Sequence, residues 1–306
     1  METKVARWIR PWNGSETPDV IIMGAPLSKT SISPSGASLT PQAFRELFAA
    51  ATTYDVDHDV DLATALTARD AGDARIHATD TLHSRSGVRA AVAHLLNSAP
   101  DAMLVVVGGD HSITAPAVEA FSTAWDGGVG LVQLDAHMDV RNLEDGGPTN
   151  GTPIRQLLEG GVVLGRNVVQ IGLHAWSNSR PYREYAVAHG VTQITAHAVA
   201  HEAPGSIVER ALAVAGDGTS AIYVTLDMDV LDQSAAPGVP AMIPGGMTTW
   251  QLMDIMYALG SDPRVRALDI VEVDASLDPR RATVRAALHA MLTFLSGYAS
   301  RRTRGA

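Results

Sequence analysis

Short β-branched runs alternate with longer amphipathic stretches along most of the chain. Seven runs read as strands: 19–26, 102–109, 129–137, 167–173, 191–195, 221–230 and 265–274. Most are apolar at nearly every position rather than at alternate ones, as in "MLVVVG" and "GLVQL". Strands of that kind are covered by helices on both faces. Between them, helical patterns cover 40–51, 86–99, 115–125, 153–160, 180–190, 206–216, 248–260 and 281–300. Thr40 followed by Pro41 marks a helix start, with the threonine as N-cap and the proline at the first helical position. Strands and helices in alternation predict an α/β fold on a parallel sheet. A closed barrel would carry the same alternation, so the pattern alone leaves both architectures open. The stretch "LSKTSISPSGASL" (27–39) is rich in Ser, Gly and Pro and follows the first strand, which predicts a loop over an active site. No internal repeat or low-complexity linker divides the chain, and a single domain over 1–306 is expected. Its basic end, "SRRTRGA" from about residue 300, is expected to be a frayed, solvated tail.

Composition narrows the function classes. The 306 residues are 46% hydrophobic and 18% charged, enough apolar material for a large core. A net charge of −10 argues against nucleic acid or an anionic membrane as the main partner. With no cysteine, disulfide and thiolate chemistry are excluded, and a cytoplasmic location is expected. The start, "METKVARWIRPWNG", lacks the apolar run of roughly 7–15 residues that marks a signal peptide. No apolar segment approaches the ~20 residues that span a bilayer.

Three strands finish in ligand-type residues. "VVVGGDHS" leads to Asp110 and His111, "LVQLDAHMD" to Asp135, His137 and Asp139, and "VTLDMD" to Asp227 and Asp229. Ligands bind beyond the carboxyl ends of parallel strands, and period-2 spacing turns each i, i+2 pair to one face. Asp135, Asp139, Asp227 and Asp229 would bring four carboxylates together, an arrangement that cannot stay fully ionised unaided. Two divalent cations would neutralise it, with His111 and His137 completing the ligand set and water made nucleophilic at neutral pH. A single Asp-x-His or Asp-x-Asp at a strand end is ordinarily a turn or a cap; three in one chain point to metal. Oxygen-rich ligands with imidazole and no thiol suit Mn²⁺ best, with Zn²⁺, Fe²⁺, Co²⁺ and Ni²⁺ as alternatives.

In this order, "GGDHS", "DAHMD" and "LDMDVLD" resemble the signatures of the ureohydrolase superfamily, which includes arginases, agmatinases, guanidinobutyrases and formimidoylglutamases. The resemblance runs from "GAPLSKTSISPSGASLTPQAFREL" to "VEVDASLD", most of the chain. It implies a three-layer α/β/α sandwich on a mostly parallel sheet, assembled as a trimer or hexamer, with two Mn²⁺ per subunit. One ion would be held by His111, Asp135, Asp139 and Asp227, and the other by Asp135, His137, Asp227 and Asp229. Asp135 and Asp227 would bridge, while Asp110 is read as structural. Glu272 in "VEVD" matches the position that accepts hydrogen bonds from the substrate's guanidine or amidine nitrogen. Asp139 is expected to take a proton from the nucleophile.

The departures point within the family. Asn150 stands just before "GTP", where arginases and agmatinases carry a histidine proton shuttle, and asparagine can be neither acid nor base near neutral pH. That non-histidine residue, Arg141 directly after the DAH motif, and "SPSGASLTP" resemble the formimidoylglutamase branch most. Arg141 would give a bidentate anchor to a substrate carboxylate and repel a cation. Asn178 and Arg180 follow the strand at 167–173 and are expected to reach the pocket beside Arg141, Asn150 and Glu272. His174 is expected to be a satisfied polar residue at the strand end. The resemblance thus implies hydrolysis of N-formimidoyl-L-glutamate to L-glutamate and formamide. The alternatives are a guanidine ureohydrolase releasing urea, or a non-catalytic metal-binding scaffold.

Overall fold

The computed structural model describes residues 2–304. In chain order its strands are β1 (Ile9–Pro11), β2 (Val20–Ala25), the antiparallel pair β3 (Tyr54–Asp55) and β4 (Val60–Asp61), β5 (Ala68–Asp73), β6 (Met103–Gly108), β7 (Val129–Leu134), β8 (Val168–Leu173), β9 (Thr192–Thr195), β10 (Ala221–Asp227) and β11 (Val265–Val271). All but β3 and β4 form one nine-stranded sheet in the order β1-β5-β2-β6-β11-β10-β7-β8-β9. Every pairing in it is parallel. The sheet is open, with short edge strands β1 and β9, which resolves the choice between sheet and barrel.

Alternate side chains of each strand feed two separate cores. Val105 and Val107 of β6 pack with Phe44, Leu252 and Phe294, from the helices Thr40–Leu47, Thr249–Ser261 and Ala282–Arg304. Leu104 and Val106 pack on the opposite side with Val88, Phe121 and Ile154, from the helices Thr81–Ser98, Thr114–Ser122 and Pro153–Glu159. Helices on both faces are what strands apolar at every position require, and the three-layer α/β/α sandwich follows.

Each of the seven predicted strands is present, but three stop early, at Leu134, Asp227 and Val271, short of all or part of their polar ends. β1 and β5 had no signal, because "IRP" and "ARDAGD" contain no apolar run. Ion pairs tie β5 down instead: Arg45 reaches Asp70 at 2.7 Å and Asp73 at 2.6 Å. The helix expected from 86 begins at Thr81, where the Asp80 side chain accepts the His83 amide at 2.9 Å. Thr40 opens its helix but does not cap it; Leu39 holds the cap position, and the Thr40 hydroxyl donates to the Val273 carbonyl. The tail also differs from expectation. The last helix continues to Arg304, Arg301 donates to the Val265 carbonyl at 3.1 Å, and Arg302 pairs with Asp19 at 2.8 Å. Residues 305 and 306 lie outside the described residues. Gly109 lets two backbones meet, since a Cβ there would overlap the Leu27 carbonyl; Asp110 N donates to that carbonyl at 2.7 Å. The loop at 27–39 is thereby set beside the end of β6.

Candidate metal centre

β6, β11, β10 and β7 are neighbours at the middle of the sheet, and each carboxyl end closes with the same device. Asp110 Oδ1 accepts Ser112 N at 3.1 Å, Asp274 Oδ1 accepts Ser276 N at 2.9 Å, Asp227 Oδ1 accepts Asp229 N at 2.9 Å, and Asp135 Oδ1 accepts His137 N at 2.6 Å. An aspartate that accepts an amide two residues on makes a tight turn. The turns, and not the period of an extended strand, aim the ligand residues: Asp135, His137 and Asp139 lie past the end of β7, and Asp229 sits in a 3₁₀ turn, Met228–Val230. The expectation that alternate strand positions present these ligands is corrected accordingly. Asp139 (φ 52°) and Glu272 (φ 61°) occupy the left-handed region, a conformation that persists where surrounding contacts enforce it and that clusters at functional sites.

Two groups of ligand atoms result, and within each the atoms lie within 4.8 Å of one another: His111, Asp135 and Asp227, and then Asp135, His137 and Asp229. His111 Nδ1 stands 3.1 Å from Asp135, 2.8 Å from Asp139 and 3.2 Å from Asp227. His137 Nδ1 stands 2.9 Å from Asp229. All four carboxylates are buried. Burial and the Asp135 carboxylate push Asp139 up to about 7. Burial, Asp229 and Asp135 hold Asp227 well above the usual carboxylate range. Burial works against a charged His137, yet Asp229 and Asp135 push it up to about 12.

This donor set fits divalent cations. His111 Nδ1 is fully buried and, despite three carboxylate oxygens around it, makes no hydrogen bond. Its other nitrogen is engaged by Thr225 Oγ1 at 2.9 Å. A single proton cannot satisfy three converging oxygens, whereas a cation can, and four carboxylates match the charge of two divalent ions.

A cavity of about 330 Å³ opens onto these residues. His137, Asp139, Asp227, Asp229 and Glu272 line it, as do Arg141, Asn150 and Asn178. Glu272 is buried; burial and the Asp110 carboxylate push it up to about 8, against the pull of the His111 amide and the Asn150 side chain. Arg141 is exposed, and its guanidinium has no hydrogen-bond or ion-pair partner among the described residues. Asn178 spends both ends of its amide on backbone, accepting Met138 N at 2.8 Å and donating to Ala136 O at 2.9 Å, and so braces the DAH turn. Arg180 begins the helix Arg180–Ala188, is exposed, and does not line the cavity. His174 is buried off the cavity, with Nε2 at 3.2 Å from the Val230 carbonyl. Asp110 is held by Thr30 and Ser112 and contributes no ligand atom to either group. Ile32 and Ser33 of the loop at 27–39 form part of the cavity wall.

A row of polar side chains behind the candidate ligands, buried at Gln133 and Gln170 and half-buried at Gln193, has no counterpart among the expectations. Gln133 Nε2 donates to Asp135 Oδ2 at 2.6 Å, Gln170 Nε2 to Gln133 Oε1 at 2.7 Å, and Gln193 Nε2 to Gln170 Oε1 at 3.2 Å. This amide ladder crosses β7, β8 and β9 and fixes the rotation of the shared carboxylate. The signal was in the sequence: a glutamine followed by Leu or Ile recurs as "VQL", "VQI" and "TQI" in three successive strands.

A model of the arginase family matches residues 18–297. The formimidoylglutamase of Halalkalibacterium halodurans is 46% identical over 295 residues, 96% of this chain and 92% of that protein. The crystal structure of Bacillus subtilis formimidoylglutamase superposes with a TM-score of 0.94 at 38% identity, over 97% of this chain and 92% of that one. A Trypanosoma cruzi formiminoglutamase crystallised with Mn²⁺ superposes with a TM-score of 0.90 at 25% identity, over 98% of this chain and 100% of that one.

Proposed function

The chain belongs to the arginase family, and from that membership we propose that it hydrolyses N-formimidoyl-L-glutamate to L-glutamate and formamide. One observation in the cavity carries the substrate assignment. One cavity is lined both by carboxylates suited to cations and to an amidine and by Arg141, whose guanidinium has no partner among the described residues. That polarity matches a substrate with an amidine at one end and carboxylates at the other.

Mn²⁺ is the cation proposed, two per subunit, held by His111, Asp135, Asp139, Asp227, His137 and Asp229. Bound there, the ions would supply activated water and offset charge that develops on the substrate. Glu272 accepts a hydrogen bond from the amidine NH₂ and holds the formimidoyl carbon in place. Asp139 takes a proton from the attacking water and returns it to the departing amine as the C–N bond breaks. Asn150 cannot do this, having no titratable group. Arg141 holds a carboxylate by two parallel N–H bonds, beside the wall to which Ile32 and Ser33 contribute. Assembly as a homo-oligomer and a cytoplasmic location belong to the same proposal; light scattering of the purified protein and cell fractionation test them.

Mn²⁺-loaded protein supplied with N-formimidoyl-L-glutamate, guanidinobutyrate, agmatine and arginine should release glutamate and formamide from the first. Urea from a guanidine, without formamide from the amidine, would overturn the assignment.

A further inference from the structure

Both N–H groups of the Asn150 side-chain amide are committed within the protein. Its Nδ2 donates to Glu272 Oε1 at 3.0 Å and to Ser31 Oγ at 3.3 Å, its Oδ1 accepts Ile32 N at 3.0 Å, and its own backbone N–H reaches Thr30 O at 3.2 Å. Glu272 Oε1 in turn receives two donors, Asn150 Nδ2 and the His111 amide at 2.7 Å. No donor among the described residues reaches Oε2, although Glu272 lines the cavity.

We propose that Asn150 is a positioning residue: it clamps one oxygen of Glu272, so that only the other is offered to the amidine, and couples that orientation to the Thr30–Ser33 wall. This deepens the amidine-hydrolysis reading and rests on it. A terminal carboxylate torsion is soft and nearly two-fold, so the Glu272 head group would turn freely without a second donor. The His111 amide alone fixes a point; with Asn150 it fixes a plane. The same asparagine spans three elements distant in sequence, the loop after β2, the segment after β7 and the end of β11, so a shift of the wall reaches the carboxylate directly.

Two variants separate this role from simple bracing of the loop. Asn150→Asp keeps an acceptor for the Ile32 amide but removes the donor to Glu272. Asn150→Ala removes both. Each would be prepared with Mn²⁺, and kcat/KM measured on whichever amidine or guanidine the native enzyme turns over best. Tryptic cleavage after Lys29, an exposed residue in the same loop, reports how firmly the wall is held. Loss of a hydrogen bond to a charged group predicts a fall in kcat/KM of about 10- to 100-fold in both variants. That fall should be shared between KM and kcat, because a misaimed carboxylate both binds the amidine less well and holds it off the line of attack. Mn²⁺ per chain should equal that of the native protein. Lys29 cleavage should accelerate in Asn150→Ala and not in Asn150→Asp.

Native kcat/KM in Asn150→Asp would overturn the positioning role and leave only a loop brace. Loss of Mn²⁺ from both variants would overturn it too, assigning the effect to the metal centre. Impaired variants of an enzyme that releases urea would overturn the formamide assignment alone. A native enzyme inert on the whole panel would overturn both.

Discussion

Arg141→Ala isolates what the cavity mouth contributes to substrate choice. The guanidinium has no partner among the described residues, and the backbone at that position is held separately, Arg141 N donating to Gly151 O at 2.9 Å. Truncation should therefore leave folding within about 0.5 kcal/mol of native. Its effect on substrate is larger. A bidentate charge-assisted contact to a carboxylate contributes about 1.5–3 kcal/mol when shielded, and the exposure of Arg141 places it toward the lower half of that range. About 1.5–2.2 kcal/mol corresponds to a loss of roughly 10- to 40-fold in kcat/KM. The assay compares N-formimidoyl-L-glutamate with a formimidoyl alkylamine of similar length that lacks both carboxylates. Only the first should lose efficiency, chiefly through KM, with thermal unfolding unchanged. Arg141→Lys, which keeps the charge but not the planar fork, should fall between native and Ala. An equal loss on both substrates would remove Arg141 from carboxylate recognition.

Asp229→Ala should roughly halve the Mn²⁺ bound per chain and bring turnover to background; elemental analysis with a product assay checks it, and full activity would refute the ligand set. Gln133→Leu removes the donor to Asp135, and a lost hydrogen bond behind a metal ligand should weaken Mn²⁺ binding by about 10- to 100-fold in a competition titration. Metal-free protein should lose thermal stability as pH rises from about 5 to 8. Asp139, raised to about 7, and Asp227, also held well above the usual carboxylate range, keep protons in the fold that the unfolded chain gives up near ~4. Such groups stabilise fully below their unfolded values, and the contribution disappears as pH rises through the folded ones. His111 and His137, also raised, act in the same direction above about 6.5. Asp135 is lowered, and its opposite contribution fades only below ~4. Excess Mn²⁺ should reverse the slope, since it binds deprotonated ligands; a Tm that stays flat with pH after chelation would contradict the description of the cluster.

The buried sheet was legible because its strands carry apolar residues at every position, and the two uncharted sheet strands are those with polar sequences. The candidate ligand residues were legible from their types, but not the way they are aimed. Asp-x-His looks identical on an extended strand and in a tight turn, and only the hydrogen bond from His137 N to Asp135 Oδ1 separates the two. Asn178 was legible as a polar residue near the pocket, while its commitment to the Ala136 and Met138 backbone depends on a contact 40 residues or more away in sequence. Gln133, a single glutamine within an apolar run, announces no role of its own. Its partners on β8 and β9 become visible only once the strands are set in register.

The strand order has a consequence for how the protein is made. β10 and β11 are inserted between β7 and β6, although they are synthesised long after both. A ribosome that has finished β7 and the turn after it has already produced His111 and Asp135, yet the strands that space them belong to segments still to come. If ions are held as proposed, a chain emerging from its N-terminal end could not complete their site as it grows, because half the acidic cradle arrives with the last third of the polypeptide. Loading would in this sense be a post-translational event, and the nascent sheet would keep an unfilled gap at its centre until that final segment has threaded in.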